Sequence, residues 1–97
     1  MPGASYKQGV ATMPAIVLLG HAHHCPLCGP TSVSSGSSLF FVNGRAAARV
    51  GDRLGCGALI TSGSALMMDD GQPFARVGDT TSHGGVLENG DNSWLLD

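Results

Sequence analysis

Charge is scarce in this chain. Only 12% of its 97 residues are charged, the net charge is −2 with histidine neutral, and the five lysines and arginines form no stripe. Nucleic acid is therefore not an expected partner. Long apolar runs are also missing. The longest, residues 15–19, is far too short to span a bilayer, so no stable membrane insertion is expected. No apolar signal core follows the single early lysine, Lys7, and the expectation is synthesis and folding in a cytoplasm. Aromatic residues are few (three Phe, one Tyr, one Trp), which points to a modest core in a single domain. Small scaffolds of this kind often recruit a metal or disulfides. Three cysteines cannot all pair with one another. In a reducing compartment, thiols near histidines read as metal ligands.

What the chain does have is repetition. Arg49-Val50-Gly51-Asp52 leads to Cys56-Gly57, and 27 residues later Arg76-Val77-Gly78-Asp79 leads to His83-Gly84. Two hairpins precede these phrases. In the first, residues 39–42 turn through Asn43-Gly44 into residues 45–50. In the second, residues 66–68 turn through Asp69-Asp70-Gly71 into residues 72–77. Asn-Gly and Asp-Gly suit the type I′ turn, whose two central residues need positive φ. Gly36, Gly63 and Gly90 keep the same spacing of 27, so a third hairpin begins near the C-terminus without its return strand. The apolar residues 14–19 can supply it. The prediction is a ring of three hairpins closed by the two ends of the chain, repeats that bury a face only against neighbours. Residues 1–12 read as a loose leader and 13–97 as the domain, with no effector extension. Residues 20–35, rich in His, Cys and Pro, read as loop.

One loop per repeat joins the Gly-Asp end to the next Gly-Ser. Its step is 12 residues from Gly51 to Gly63 and from Gly78 to Gly90, but 16 from Gly20 to Gly36. The enlarged loop holds His21, His23, His24, Cys25 and Cys28. Tetrahedral zinc takes four N and S ligands; three equivalent loops give three, and the enlarged one can give a fourth. Cys56 and His83 are fixed by the register. In the first loop the choice is open: Cys25 matches them when counted from Gly20, while Cys28 lies one residue off the matching place when counted back from Gly36. Asp52 and Asp79 read as turn residues paired with Arg49 and Arg76. Alternation puts Phe40, Met67 and Trp94 on one face and Phe41, Met68 and Leu95 on the other.

Gly44-Arg45-Ala46-Ala47-Ala48-Arg49-Val50-Gly51-Asp52 and Gly71-Gln72-Pro73-Phe74-Ala75-Arg76-Val77-Gly78-Asp79 resemble the repeats of the PAAR family. Thr80-Thr81-Ser82-His83-Gly84-Gly85 is similar to that family's Thr-x-His-Gly-Gly loop, and His23-His24-Cys25-Pro26 to its His-x-Cys-Pro motif. Ala46 departs from the usual proline, and Cys28-Gly29 from a usual histidine near glycines. The resemblance implies an all-β fold, a small cone of three short β-hairpin repeats with pseudo-three-fold symmetry whose loops converge on one structural zinc. Carried over by position, it implies the ligands His23, Cys28, Cys56 and His83, with Cys25 or His21 able to displace either first-loop member. It also implies a function: a non-enzymatic tip that caps the trimeric valine-glycine-repeat (VgrG) spike of a type VI secretion system. One chain, monomeric when free, would seat on each trimer, with effectors as possible cargo. The tip would stay in the cytoplasm until firing and then be delivered into the target cell. Two other readings compete. One is a small zinc hydrolase with Asp52 or Asp79 as base, against which stand the missing His-Glu-x-x-His helix and the short chain. The other is the tip of a related phage-tail-like injection machine.

Overall fold

The computed structural model describes residues 14–69 and 71–96; the leader assigned to residues 1–12 lies outside them. The described residues form eight short strands in four two-stranded antiparallel pairs. In chain order these are β1 (Ala15–Ile16), β2 (Ala22–Cys25), β3 (Gly29–Ser32), β4 (Phe41–Val42), β5 (Arg45–Ala46), β6 (Met68–Asp69), β7 (Gln72–Pro73) and β8 (Asp91–Leu95). The fold is all-β. Among the described residues no helix is long and apolar enough to cross a membrane.

The predicted hairpins are present. β4 and β5 flank Asn43-Gly44, whose φ values of 51° and 80° are the positive pair a type I′ turn requires. β6 and β7 pair across the second turn, where Gly71 has φ 83°. β1 pairs with β8 in antiparallel register, so the N-terminal run does return against the C-terminal strand. The paired segments are shorter than predicted, because each return strand leaves its hairpin within two residues and joins a central ring. In that ring Leu18 bridges Ala47, Arg49 bridges Phe74, and Arg76 bridges Ile16. Between these bridges runs a closed triangle of backbone hydrogen bonds. Val17 N–H donates to Ala75 C=O (3.0 Å), Ala75 N–H to Ala48 C=O (2.9 Å), and Ala48 N–H to Val17 C=O (2.9 Å). The three residues are at most 1% exposed and mark the pseudo-three-fold axis.

Convergence of three backbones on one axis explains the small residues there. It also explains the periodic glycines. A Cβ on Gly36 would lie 2.9 Å from Ala47 O, one on Gly63 2.8 Å from Phe74 O, and one on Gly90 2.8 Å from Ile16 O. Each glycine therefore lets its strand lie flat on the equivalent ring residue.

Period-2 alternation divides the core into two layers. Ile16, Leu18, Ala47 and Phe74 pack with Val42 and Leu96 on the hairpin side. Val17, Ala48 and Ala75 pack with Val33, Leu54, Ala58, Ile60 and Leu87 on the loop side. Phe40 turns inward against Phe74 and Trp94, with ring centroids 4.9 Å away in both contacts. Phe41, Met68 and Leu95, on the other face of the hairpins, are 55%, 54% and 45% exposed, while Met67 and Trp94, in register with Phe40, keep 38% and 37% of their surface exposed.

Residues 20–35 are not simply loop. β2 and β3 form a four-pair hairpin there, from Ala22↔Ser32 to Cys25↔Gly29. The pattern that reveals it is burial: His23 and Cys25 face inward while Ala22 and His24 face solvent. A polar His on the core face of a strand hides the alternation that hydrophobicity would otherwise show.

Candidate metal centre

Three loops meet at the end of the ring opposite the hairpin turns. The second-repeat loop folds back through Leu54 N–H to Ala58 C=O (2.9 Å) and Gly57 N–H to Leu54 C=O (2.9 Å). The third-repeat loop repeats both bonds, with Thr81 N–H to Gly85 C=O at 2.9 Å and Gly84 N–H to Thr81 C=O at 3.1 Å. Gly57 and Gly84 have φ of 94° and 79°, conformations a side chain would strain. Cys56 and His83 are thus presented by the same tight turn.

In the first repeat, 31 residues separate Val17 from Ala48 on the axis, and 31 separate Cys25 from Cys56. Cys25 is therefore the equivalent of Cys56 and His83. Beyond the turn the spacing returns to 27, from Val33 to Ile60. These two residues make matching bonds, Gly20 N–H to Val33 C=O (2.9 Å) and Gly51 N–H to Ile60 C=O (2.8 Å). The four extra residues lie between Cys25 and Val33, and Cys28 is among them. Three symmetric ligands and one inserted ligand complete the group.

The ligand atoms of Cys25, Cys28, Cys56 and His83 all lie within 4.8 Å of one another. His83 Nδ1 has the Cys25, Cys28 and Cys56 sulfurs at 3.5, 3.7 and 3.9 Å. One ring nitrogen has a single hydrogen-bonding site, so it cannot serve three thiols at once. Four donors around a common point form a coordination set, and this cluster can bind a metal ion. Cys25 is buried, Cys56 and His83 half-buried, and Cys28 exposed. Burial alone would raise the Cys25 thiol, but hydrogen bonds from the Leu27 N–H, His83, the Cys28 N–H and Cys56 outweigh it and hold it down to about 6. Burial and the neighbouring Cys56 and Cys25 sulfurs push Cys28 up to about 11.

The sequence assignment of Cys28, Cys56 and His83 puts those three together; its fourth residue, His23, stands apart. His23 lies 31 residues before Leu54 and occupies the same core place, 2% exposed. Its Nδ1 lies 3.2 Å from Glu88 Oε1, and a Cβ on Gly85 would lie 2.7 Å from its Nε2. His21 is not in the cluster either. It occupies the place of Asp52 and Asp79: its Nδ1 accepts the Leu18 N–H at 3.0 Å, as Asp52 and Asp79 Oδ2 accept those of Arg49 and Arg76 at 2.7 Å.

The PAAR motif family profile matches residues 4–62, more than half of the chain. This protein belongs to the PAAR motif family. The match contains Cys25, Cys28 and Cys56; His83 falls beyond it and is tied in by the internal repeat. PAAR proteins are structural spike-tip-type proteins associated with VgrG spikes of type VI secretion systems. No curated protein matches the chain.

Proposed function

We propose that this PAAR protein is a zinc-pinned, non-catalytic tip that caps a trimeric VgrG spike, one chain per trimer. The observation that carries the reading is the placement of Phe41, Met68 and Leu95 at three-fold-equivalent positions, each about half exposed, on the hairpin face. Leu39 and Leu66, still more exposed, widen that apolar face. An apolar patch of this kind is a binding surface. Its pseudo-three-fold repeat lets one chain present equivalent contacts to three subunits.

The proposed ligands are Cys25, Cys28, Cys56 and His83. Zinc–sulfur and zinc–nitrogen bonds of ~2.3 and ~2.0 Å in a tetrahedron set S and N about 3.5 Å apart. The three S···N separations of 3.5–3.9 Å agree. Bound there, zinc would supply a rigid cross-link among three loops and no reaction. Four protein donors are the pattern of a structural site. The carboxylates a hydrolase would use are engaged as turn caps, Asp52 by Arg49 and Asp79 by Arg76. In this reading the free chain is a monomer, stays cytoplasmic until firing, and travels with the spike into the target cell, with any effector carried alongside.

Native mass spectrometry of the purified chain with a VgrG trimer tests the reading. One chain per trimer is expected, with Met68→Glu abolishing binding while metal content is unchanged. Three chains per trimer, or full binding by the variant, would overturn the cap.

A further inference from the structure

We propose that the vertex is also a thiol switch: Cys25 and Cys28 close a disulfide under two-electron oxidation and thereby dismantle the ligand set. This rests on the metal-site reading above and extends it.

Three features of the cluster carry the inference. First, three of its four donors are sulfur, all within 4.8 Å of one another. Histidine ligands survive mild oxidation, whereas thiolates do not. Second, Cys25-Pro26-Leu27-Cys28 lies in one hairpin turn, closed by the pairing of Cys25 with Gly29. Four residues in a tight turn keep their end Cα atoms within ~7 Å, and a disulfide needs ~4.4–6.8 Å. Cys56 is held by a separate turn in another repeat, with its own bonds between Leu54, Gly57 and Ala58. Third, the pair is asymmetric: Cys28 is exposed and Cys25 is 1% exposed. A reagent in solution reaches Cys28, and Cys25 waits beneath it as the resolving thiol.

With hydrogen peroxide as oxidant the steps balance. As metal ligands both sulfurs would be held as thiolates. The exposed Cys28 thiolate attacks one peroxide oxygen, the O–O bond breaks, hydroxide leaves, and Cys28 becomes a sulfenic acid. The Cys25 thiolate then attacks the Cys28 sulfur, the S–S bond forms, and the S–O bond breaks with loss of a second hydroxide. Two thiolates lose two electrons and one peroxide becomes two hydroxides. Only Cys56 and His83 then remain, too few for a tetrahedral site. The axial triangle of Val17, Ala48 and Ala75 uses none of these sulfurs, so the core of the fold persists while the vertex loosens.

The test treats the metal-loaded full-length chain with hydrogen peroxide and follows zinc release with a chromogenic chelator, alongside intact mass and peptide mapping. The expected result is loss of about one zinc per chain together with a mass decrease of about 2 Da and a mapped Cys25–Cys28 link, all reversed by dithiothreitol. A Cys28→His variant keeps four donors but cannot form the link, and should retain its zinc at the peroxide dose that strips the parent. Release without that link, a link to Cys56 in its place, or equal release from Cys28→His would overturn the switch. A chain that takes up no metal would overturn the metal reading alone; the mass shift and the mapped link would still decide the pairing.

Discussion

His21 does for Leu18 what Asp52 does for Arg49: it accepts the backbone N–H three residues before it, at 3.0 Å. A histidine in a carboxylate's place gives the first repeat a titratable imidazole at this cap. Burial, then the nearby Arg45, pull its pKa below 6.5, against a smaller opposing effect of Asp91. The folded state therefore prefers neutral His21 and the unfolded chain binds the proton more readily. The stabilisation is complete above pH 6.5 and is lost as pH falls through the lowered folded value. His21→Asn keeps an acceptor that does not titrate. Thermal melts of both proteins across pH 4–8 should show the parent losing more stability on the acid side; parallel curves would mean that His21 titrates alike in both states.

The four-donor cluster separates ligand from bystander. Cys56→Ser and His83→Ala should lower metal content and melting temperature together, because structural metal binding contributes directly to folding. His23→Leu places at position 23 the residue that already fills the equivalent site as Leu54, and should keep its metal. Elemental analysis of the three variants checks this, and a metal-edge absorption spectrum should count three sulfurs and one nitrogen. Metal loss in His23→Leu would return His23 to the ligand set.

The axis has no room for growth. Ala75 is fully buried beside Val17 and Ala48. Ala75→Leu should destabilise by ~1–3 kcal/mol through overpacking. Gly63→Ala should destabilise on a similar scale, since its Cβ would meet Pro73 Cβ at 2.9 Å as well as the Phe74 carbonyl. Denaturant melts report both; wild-type stability in either would show that the ring yields more than its contacts suggest.

Closure by the chain ends predicts a sharp truncation effect. A fragment beginning at Gly20 lacks β1, which leaves β8 unpaired and removes Val17 from the triangle. It should aggregate in place of folding. A soluble, metal-binding fragment of residues 20–97 would contradict the pairing.

Much of this architecture is written in the 27-residue spacing. Gly36, Gly63 and Gly90, the two Arg-Val-Gly-Asp phrases and the Asn-Gly and Asp-Gly turns each have a local physical reason, so their repetition reads directly as repeated structure. The first loop is less legible because an insertion breaks the count. Counting from Gly20 correctly equates Cys25 with Cys56, and counting from Gly36 is right only beyond the insertion, at Val33. Cys28 has no equivalent at all, and no register could have assigned it. His23 enters the sequence assignment through its resemblance to a family motif, while the repeat aligns it with Leu54, a core residue.

The triangle of Val17, Ala48 and Ala75 also bears on how such a chain can arise and fold. In an open solenoid each unit stacks on the last, so units can be gained or lost and folding can spread from any point. Here every member needs both others, and one side of the triangle joins residues 17 and 75, near opposite ends of the sequence. A duplication or deletion of one 27-residue unit would break the closure, which fixes the repeat number at three. Assembly must wait for the ends to meet, so folding should be all-or-none and slow for a chain of this size.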